Sequence, residues 1–312
     1  MKVILLSFIF LSSLVFASNE QLQKEAMAYE KEGDYKNAMK VYKKLYKNIK
    51  KKSNSTKKSV IKKVQNKNSK ESLAQILTKN FNIYPYKKNY FLPITYDTIE
   101  KNDRKNTETK FQFSIQKPII TNLLGLDETI SFAYTQKSFW QTTKHSSPFR
   151  ETNYMPEIFM KAPAQNRYLK AYKLSFIHQS NGQDKQYSRS WNRVYLETFF
   201  QFDELFIIPK VWLRIPENKK DDDNPDIEDY YGYGNLKFAY AYKDQTLELT
   251  LRNNLKFNKN NKTSAKLDYT FPLGLTGSDT FGYLQLFHGY GDSLIDYNKR
   301  TNKIGFGISL SR

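Results

Sequence analysis

From about residue 88 to the end of the chain, apolar and polar side chains alternate with a period of two. Residues 110–116, read as Lys-Phe-Gln-Phe-Ser-Ile-Gln, place three apolar side chains on one face of a strand and polar side chains on the other. The same alternation recurs at residues 246–252, 265–271 and 304–310. Because this period is typical of β-strands, this part of the chain is predicted to be all-β.

A soluble β-sandwich also alternates, so the polar face decides between the two architectures. Here Lys, Glu, Asp and Arg occupy that face in strand after strand, and aromatic residues lie at many strand ends. Both features are typical of a membrane barrel with a wet or hydrogen-bonded interior. We therefore predict a twelve-stranded antiparallel transmembrane β-barrel. The predicted strands lie near residues 88–98, 109–118, 128–137, 153–162, 169–179, 191–202, 204–214, 231–242, 244–256, 264–272, 280–289 and 302–311.

The first 17 residues have a different pattern. Lys2 is followed by a run of 15 apolar or small residues that ends at Ala17. A positive start, a short apolar stretch and small residues at the exit predict a secretory signal peptide over residues 1–17. The alternative is a membrane anchor, but the run is shorter than a spanning helix and no basic cluster follows it directly. We therefore expect the mature protein to work outside the cytoplasm.

Residues 18–80 form a lysine-rich extension ahead of the barrel domain at 81–312. They contain 17 Lys and 6 acidic residues, so +11 of the total net charge of +19 lies here. Apolar residues at helical spacing around Gly33 predict one helical hairpin, similar to a single tetratricopeptide-type unit. Residues 47–70 have the composition of a linker. Export disfavours a nucleic-acid partner for this run and favours anionic phosphate head groups or plain solvation.

Several kinds of chemistry are excluded by composition and motif. The chain has no cysteine, which removes disulfides, thiolate zinc sites and cysteine nucleophiles together. It also has no G-x-S-x-G elbow, no Walker loop and no H-E-x-x-H helix. The acid-rich stretch Glu217–Asp229 cannot cross lipid, so it is predicted to be a loop at the same rim as the loop after Ser180.

Residues suited to acyl transfer occur together within a short stretch. His178 and Ser180 are two apart in a predicted strand, so they share a face and can come within hydrogen-bond reach. An imidazole that takes the proton of a serine hydroxyl creates a nucleophile, and a third group must fix the tautomer of the ring. Asn192, at the start of the next strand, can accept a hydrogen bond from the imidazole through its amide oxygen.

The phase of the two strands predicts which face carries these residues. His178, Ser180 and Asn192 fall in register with apolar positions and therefore face the lipid. Polar groups facing lipid are costly unless they are paired, so a functional site is predicted here. The alternative is ordinary interfacial polar residues at the membrane rim. The apolar residues that set the phase are Tyr172, Leu174, Phe176, Val194, Leu196 and Phe200.

Residues 178–182 (His-Gln-Ser-Asn-Gly) and 188–193 (Ser-Arg-Ser-Trp-Asn-Arg) resemble the signature of the outer membrane phospholipase A family. Further matches at residues 134–140, 146–154 and 289–298 extend the resemblance over most of residues 88–312. The resemblance implies an outer-membrane barrel that hydrolyses acyl esters of glycerophospholipids, with phospholipase A1, phospholipase A2 and lysophospholipase activity. It also implies dependence on calcium and activity as a homodimer.

The resemblance assigns roles to individual residues of this chain. It implies that Ser180 is the nucleophile, that His178 is the general base and then the general acid, and that Asn192 orients His178. The backbone amide of Gly182 is the expected oxyanion donor. A hard cation near that amide can stabilise the oxyanion of a tetrahedral intermediate.

The resemblance also implies a calcium site and a dimer contact. Calcium is expected to bind the hydroxyl of Ser188 and the backbone carbonyl of Gln183, with Ser146 of the partner subunit completing the site. The family usually has a basic residue at the position of Gln183, but a main-chain ligand should tolerate this change. Gln136 matches a dimer-interface position, and its strand phase places it independently on the outer face.

Two features of the chain differ from the family pattern, and two other functions remain as alternatives. The extension at residues 18–80 lies outside the family core, and the chain ends in Ser311-Arg312 instead of the usual terminal aromatic residue. The rivals are a passive outer-membrane pore or structural barrel, and a barrel that removes acyl chains from lipid A with a similar His-Ser pair.

Overall fold

A computed structural model of the chain describes residues 21–34, 36–48, 82–101, 104–218, 220–274 and 280–311. The chain divides into two units, residues 1–81 and 82–312. The predicted signal peptide at 1–17 lies outside the described residues, as do most of the predicted linker at 47–70 and the terminal Arg312. Among the described residues, no helix is long and apolar enough to span a bilayer.

In the first unit, residues 21–31 and 36–48 are helical. The turn between them passes through Gly33, whose φ of 75° lies in the left-handed region that glycine adopts without strain. Asp34 then accepts a hydrogen bond from the backbone N–H of Asn37 at 3.2 Å and so caps the second helix. Ala26 of the first helix and Ala38 of the second are buried. Likeness to a tetratricopeptide unit stays a prediction.

The second unit is a closed antiparallel barrel of twelve strands, β2–β13, as predicted. The last strand of the barrel, β13, pairs with its first strand, β2. The two-residue strand β1 precedes β2 in the chain and pairs with β3, which also pairs with β2. The bounds are β1 Tyr84–Pro85, β2 Tyr90–Asp97, β3 Thr107–Thr121, β4 Thr129–Trp140, β5 Phe149–Pro163, β6 Leu169–Ser180, β7 Ser190–Phe202, β8 Leu205–Ile215, β9 Gly234–Tyr242, β10 Gln245–Asn253, β11 Thr263–Pro272, β12 Phe281–Tyr290 and β13 Arg300–Ser309.

Two predicted strand starts differ from the structure by three residues or more. Strand β9 begins at residue 234 and not at 231, because residues Ile227–Tyr231 form a short helix whose two end residues are buried. Strand β5 begins at residue 149, four residues before the predicted start. After Phe149 its residues are polar, and Arg150 pairs with Glu108 and Asp296 inside the barrel. The predicted loop over Glu217–Asp229 therefore contains a short helix.

Alternation along the strands separates an apolar exterior from a polar interior. On β6, Leu174 and Phe176 are 48% and 42% exposed, whereas the intervening Lys173 and Ser175 are 3% exposed. The exterior carries apolar and aromatic side chains on strand after strand, as a lipid-facing surface requires.

Ion pairs fill the interior on the side of the barrel where β6 ends. Glu108 binds Arg150 at 2.5 Å and Lys303 at 2.8 Å, and Asp292 binds Lys303 at 2.9 Å and Lys110 at 2.6 Å. These partners come from three strands and one connection, so the network ties distant parts of the barrel together. The network therefore holds the strand ends on this side of the barrel in place.

Because neighbouring strands are antiparallel, their connections fall alternately at two rims. We call the rim at the end of β6 the site rim. Its connections are residues 98–106, 141–148, 181–189, 216–233, 254–262 and 291–299. Connections at the other rim are shorter on average and include two that span only residues 203–204 and 243–244. The acid-rich stretch lies at the same rim as the residues after Ser180, as predicted.

Candidate active site

His178 and Ser180 lie at the end of β6, on its outer face. Both are half-buried, in line with the exposed Phe176 two residues before them. In the sheet register, His178 is opposite Asn192 and Ser180 is opposite Ser190, both on β7. The predicted trio therefore shares the lipid-facing side of two paired strands, at the site rim.

The structure brings His178 and Asn192 into direct contact. Nδ1 of His178 lies 2.8 Å from Oδ1 of Asn192. An amide oxygen only accepts, so this hydrogen bond places the proton on Nδ1 and leaves Nε2 free to act as a base. Among the described residues, Ser180 Oγ and His178 form no hydrogen bond with each other. Such catalytic contacts often tighten only when substrate is bound.

The connection 181–189 holds Gly182 next to Ser180. Asn181 is buried, and its side chain accepts from the backbone N–H of Arg189 at 3.0 Å and donates to the carbonyl of Tyr187 at 2.8 Å. Gly182 has a φ of 62°, and a Cβ there would lie 2.8 Å from a ring carbon of Tyr154. The backbone conformation therefore favours glycine at the predicted oxyanion position, and a side chain there would meet the Tyr154 ring.

The predicted calcium ligands lie on two connections of the site rim. The Ser188 hydroxyl donates to Asp223 Oδ2 at 2.5 Å, which places a carboxylate beside this predicted ligand. Gln183 is exposed on the same connection. Ser146 lies on the connection 141–148 with a φ of 60°, and its Oγ is 3.0 Å from His145 Nδ1. Hydroxyl, carbonyl and carboxylate oxygens are the donors that calcium prefers.

No group of three or more His, Cys, Asp or Glu residues that could hold a metal ion occurs in the described part of the chain. The predicted calcium set does not depend on such a group, because it consists of hydroxyl and main-chain oxygens. Sequence reasoning did not identify Asp223. The feature of the sequence that could have indicated it is the run of three Asp at 221–223, which by itself shows only that this stretch cannot cross lipid.

The connection that carries Asp223 is anchored on both sides of that residue. Arg214 at the end of β8 binds Asp222 at 2.6 Å. Asp226 accepts a hydrogen bond from the Tyr297 hydroxyl, which links two connections of the site rim. Burial and this hydrogen bond raise the pKa of Tyr297 above its usual range, so the phenol remains a neutral donor at neutral pH.

Gln136 lies on the outer face of β4, as predicted. Its side chain accepts from the Tyr134 hydroxyl at 3.2 Å and donates to Ser138 Oγ at 3.4 Å. Phe132, two residues before Tyr134, is 46% exposed. Polar and aromatic groups are therefore combined on the face where the sequence predicts a dimer contact.

Comparison with known proteins places these residues in a family. Residues 64–310 match the sequence model of the family described as Phospholipase A1. This chain belongs to the phospholipase A1 family. A phospholipase A1 of Escherichia coli is 34% identical over 259 residues, which cover 74% of this chain and 82% of that protein. A protein of Neisseria meningitidis described as a phospholipase A1 is 40% identical over 218 residues, 67% of this chain but only 56% of that protein.

Solved structures of phospholipase A1 relatives have the same barrel. The outer membrane phospholipase A of E. coli aligns with a TM-score of 0.67 at 32% identity, over 74% of this chain and 99% of that chain. An outer membrane phospholipase of Salmonella typhi, solved as a dimer with bound calcium, aligns with a TM-score of 0.68 at 32% identity, over 75% of this chain and 94% of that chain.

These findings confirm the predicted family and fold. They also confirm, at the level of the family, the prediction of a phospholipase-type ester hydrolase. The roles of the individual site residues, the calcium ligands and the dimer contact stay predictions.

Proposed function

We propose that this chain is a calcium-dependent outer-membrane phospholipase that hydrolyses acyl ester bonds of glycerophospholipids. The observation that carries the proposal is the 2.8 Å contact between His178 and Asn192, on the outer face of the barrel and two residues from Ser180. A base, its orienting group and a hydroxyl that face lipid at a rim lie where a phospholipid ester would reach them.

In the proposed reaction, His178 Nε2 takes the proton of Ser180 as Oγ attacks the ester carbonyl carbon. The Gly182 amide donates to the oxyanion of the tetrahedral intermediate. His178 then gives its proton to the leaving oxygen of the glycerol, which departs as a lysophospholipid. Water then attacks the acyl-Ser180 ester as His178 takes its proton, and His178 gives that proton to Ser180 Oγ as the fatty acid leaves. Throughout, Asn192 holds the Nδ1–H of His178 and stabilises the imidazolium.

The donor set at the site rim supports the proposed calcium dependence. Ser188, the carbonyl of Gln183 and Ser146 from the partner subunit would hold the ion, with the Asp223 carboxylate supplying negative charge beside Ser188. Bound calcium would supply positive charge close to the oxyanion. The related Salmonella structure, solved as a dimer with bound calcium, supports a shared site of this kind.

The proposal includes the location of the enzyme. An apolar exterior, predicted export and relatives described as outer membrane phospholipases support the outer membrane of a Gram-negative cell. Longer connections at the site rim support placing the active site on the extracellular side. The exposed apolar residues and Gln136 of β4 support a homodimer formed through the outer face.

The test is release of fatty acid from glycerophospholipid micelles by the purified protein. Wild type is expected to act only with calcium, and His178→Ala is expected to be inactive while it retains the β-sheet signal in circular dichroism. The same preparation given lipid A should release no acyl chains. Conductance across a planar bilayer without ester hydrolysis would instead favour a passive pore, although the ion pairs that fill the interior near the site rim argue against that rival.

A further inference from the structure

The proposed triad has a neighbour that its chemistry does not require. Asn192 uses its oxygen for His178, and its Nδ2 donates to Glu217 Oε1 at 3.1 Å. Ile215, the last residue of β8, is opposite Asn192 in the register, and Glu217 follows two residues later on the same outer side. A continuous chain of hydrogen bonds therefore runs from a carboxylate through an amide to the imidazole.

This carboxylate removes an ambiguity that an asparagine introduces. An amide can be turned so that either its oxygen or its nitrogen faces the imidazole, and only the oxygen leaves Nε2 free as the base. An ionised carboxylate only accepts hydrogen bonds, so it requires the nitrogen on its own side. The oxygen of Asn192 must then face His178 Nδ1. The Glu217 carboxylate thus determines the tautomer of His178, which lies two strands away.

The charge of the carboxylate acts in the same direction. A hydrogen bond to an ionised acceptor is stronger than one between neutral groups, and it polarises the amide so that its oxygen accepts more strongly. The imidazolium that forms as Ser180 attacks is stabilised by that oxygen. Many serine hydrolases place a carboxylate next to the histidine; here the negative charge lies one amide further away.

We infer that Glu217 is a positioning residue of the active site, which fixes the amide of Asn192 and through it the reactive tautomer of His178. This inference rests on the proposed function. It concerns a residue at the start of the connection 216–233, which the sequence marked only as part of a loop.

The first test compares single variants by kcat and KM in phospholipid micelles at saturating calcium. Glu217→Ala is expected to lower kcat by about tenfold and to leave KM within about twofold, because a charge-assisted bond that orients the base is lost. Glu217→Gln keeps one hydrogen bond and should lower kcat by about threefold. Glu204→Gln, which removes an exposed carboxylate at the opposite rim, is the control for net charge and should match wild type.

The decisive test is a swap between the two positions. Asn192→Asp alone would place two carboxylates about 3 Å apart, so they would repel or share a proton, and kcat should fall by at least about tenfold. Adding Glu217→Gln gives the new aspartate an amide donor and should raise kcat about tenfold above the single variant. The same Glu217→Gln change thus lowers activity in one background and raises it in the other. A merely structural role would not reverse sign.

Each outcome decides one question. If Glu217→Gln fails to raise the activity of Asn192→Asp, or if it alters only the calcium concentration needed for half-maximal activity, the inference is wrong. If Ser180→Ala keeps full activity, the proposed function itself fails, whatever the Glu217 variants do. Circular dichroism of every variant shows that the barrel is folded, so a loss of kcat reports on the site.

Discussion

Replacing Asn192 with alanine separates the role of orienting the base from the role of reacting. The variant removes the acceptor that lies 2.8 Å from His178 Nδ1 and leaves Ser180 and the imidazole in place. Between neutral groups this bond contributes about 0.5–1.5 kcal/mol, but in the transition state the ring is an imidazolium and the bond contributes about 1.5–3 kcal/mol. Only the difference between the two states, about 1–1.5 kcal/mol, changes kcat, so with about tenfold in rate for each 1.4 kcal/mol kcat should fall by about 5- to 12-fold.

The assay is the initial rate of fatty acid release from phospholipid micelles over a range of substrate concentrations. KM should change little, because Asn192 contacts the histidine and not the substrate in the proposed mechanism. Activity equal to wild type would refute the role of Asn192. A loss as complete as that of Ser180→Ala would refute the reasoning that Asn192 only orients the base.

Three further predictions follow from other parts of the structure. Gly182→Ala should abolish most activity, whereas Gly125→Ala, which has a similar positive φ of 73° but no atom within 4 Å of its Cβ, should not; equal rates for the two would contradict this. Asp223→Asn should raise the calcium concentration for half-maximal activity by about tenfold, as loss of a charged oxygen beside a hard cation requires, and an unchanged calcium titration would contradict it. Asp292→Asn should lower the free energy of unfolding by about 3–5 kcal/mol, measured by thermal or denaturant unfolding, because buried Lys110 loses its carboxylate partner and buried Lys303 keeps only Glu108. Burial alone would raise the pKa of Asp292, but the lysines hold it well below its usual range, so its stabilisation is present above about pH 4 and declines as the pH falls further.

The barrel could be predicted from the sequence because period-two alternation is a local property. Each predicted strand overlaps a real one, and the outer face of β6 follows directly from its apolar positions. The contact between His178 and Asn192 could also be predicted, since the two residues lie at the facing ends of consecutive strands. Consecutive antiparallel strands pair side by side, so such ends meet.

The differences arise where partners are distant along the chain. Residues 150–152 are polar and precede the predicted strand 153–162, but Arg150 pairs with Glu108, 42 residues earlier, inside the barrel. The start of β9 was predicted too early because the alternating residues before Gly234 fit a strand. There Ile227 and Tyr231, four apart on a helix, pack with Trp191 and Trp212.

The site residues that the sequence did not reveal belong to one long connection. Asp223 and Glu217 lie in the stretch 216–233, where no periodicity predicts which side chain will meet β7 or the connection before it. The hairpin of β7 and β8, whose open end lies at the site rim, brings the connection after β8 to Ser188 and Asn192. Such contacts depend on tertiary structure.

The most direct test of the central claim is fatty acid release from a glycerophospholipid by purified wild type and Ser180→Ala, each with calcium and with a chelator. We expect hydrolysis by wild type with calcium alone, and a loss of at least about a thousandfold in Ser180→Ala, because the nucleophile is removed. The variant should keep the β-sheet signal of wild type. Full activity of Ser180→Ala, or hydrolysis by wild type that is unchanged by the chelator, would contradict the account.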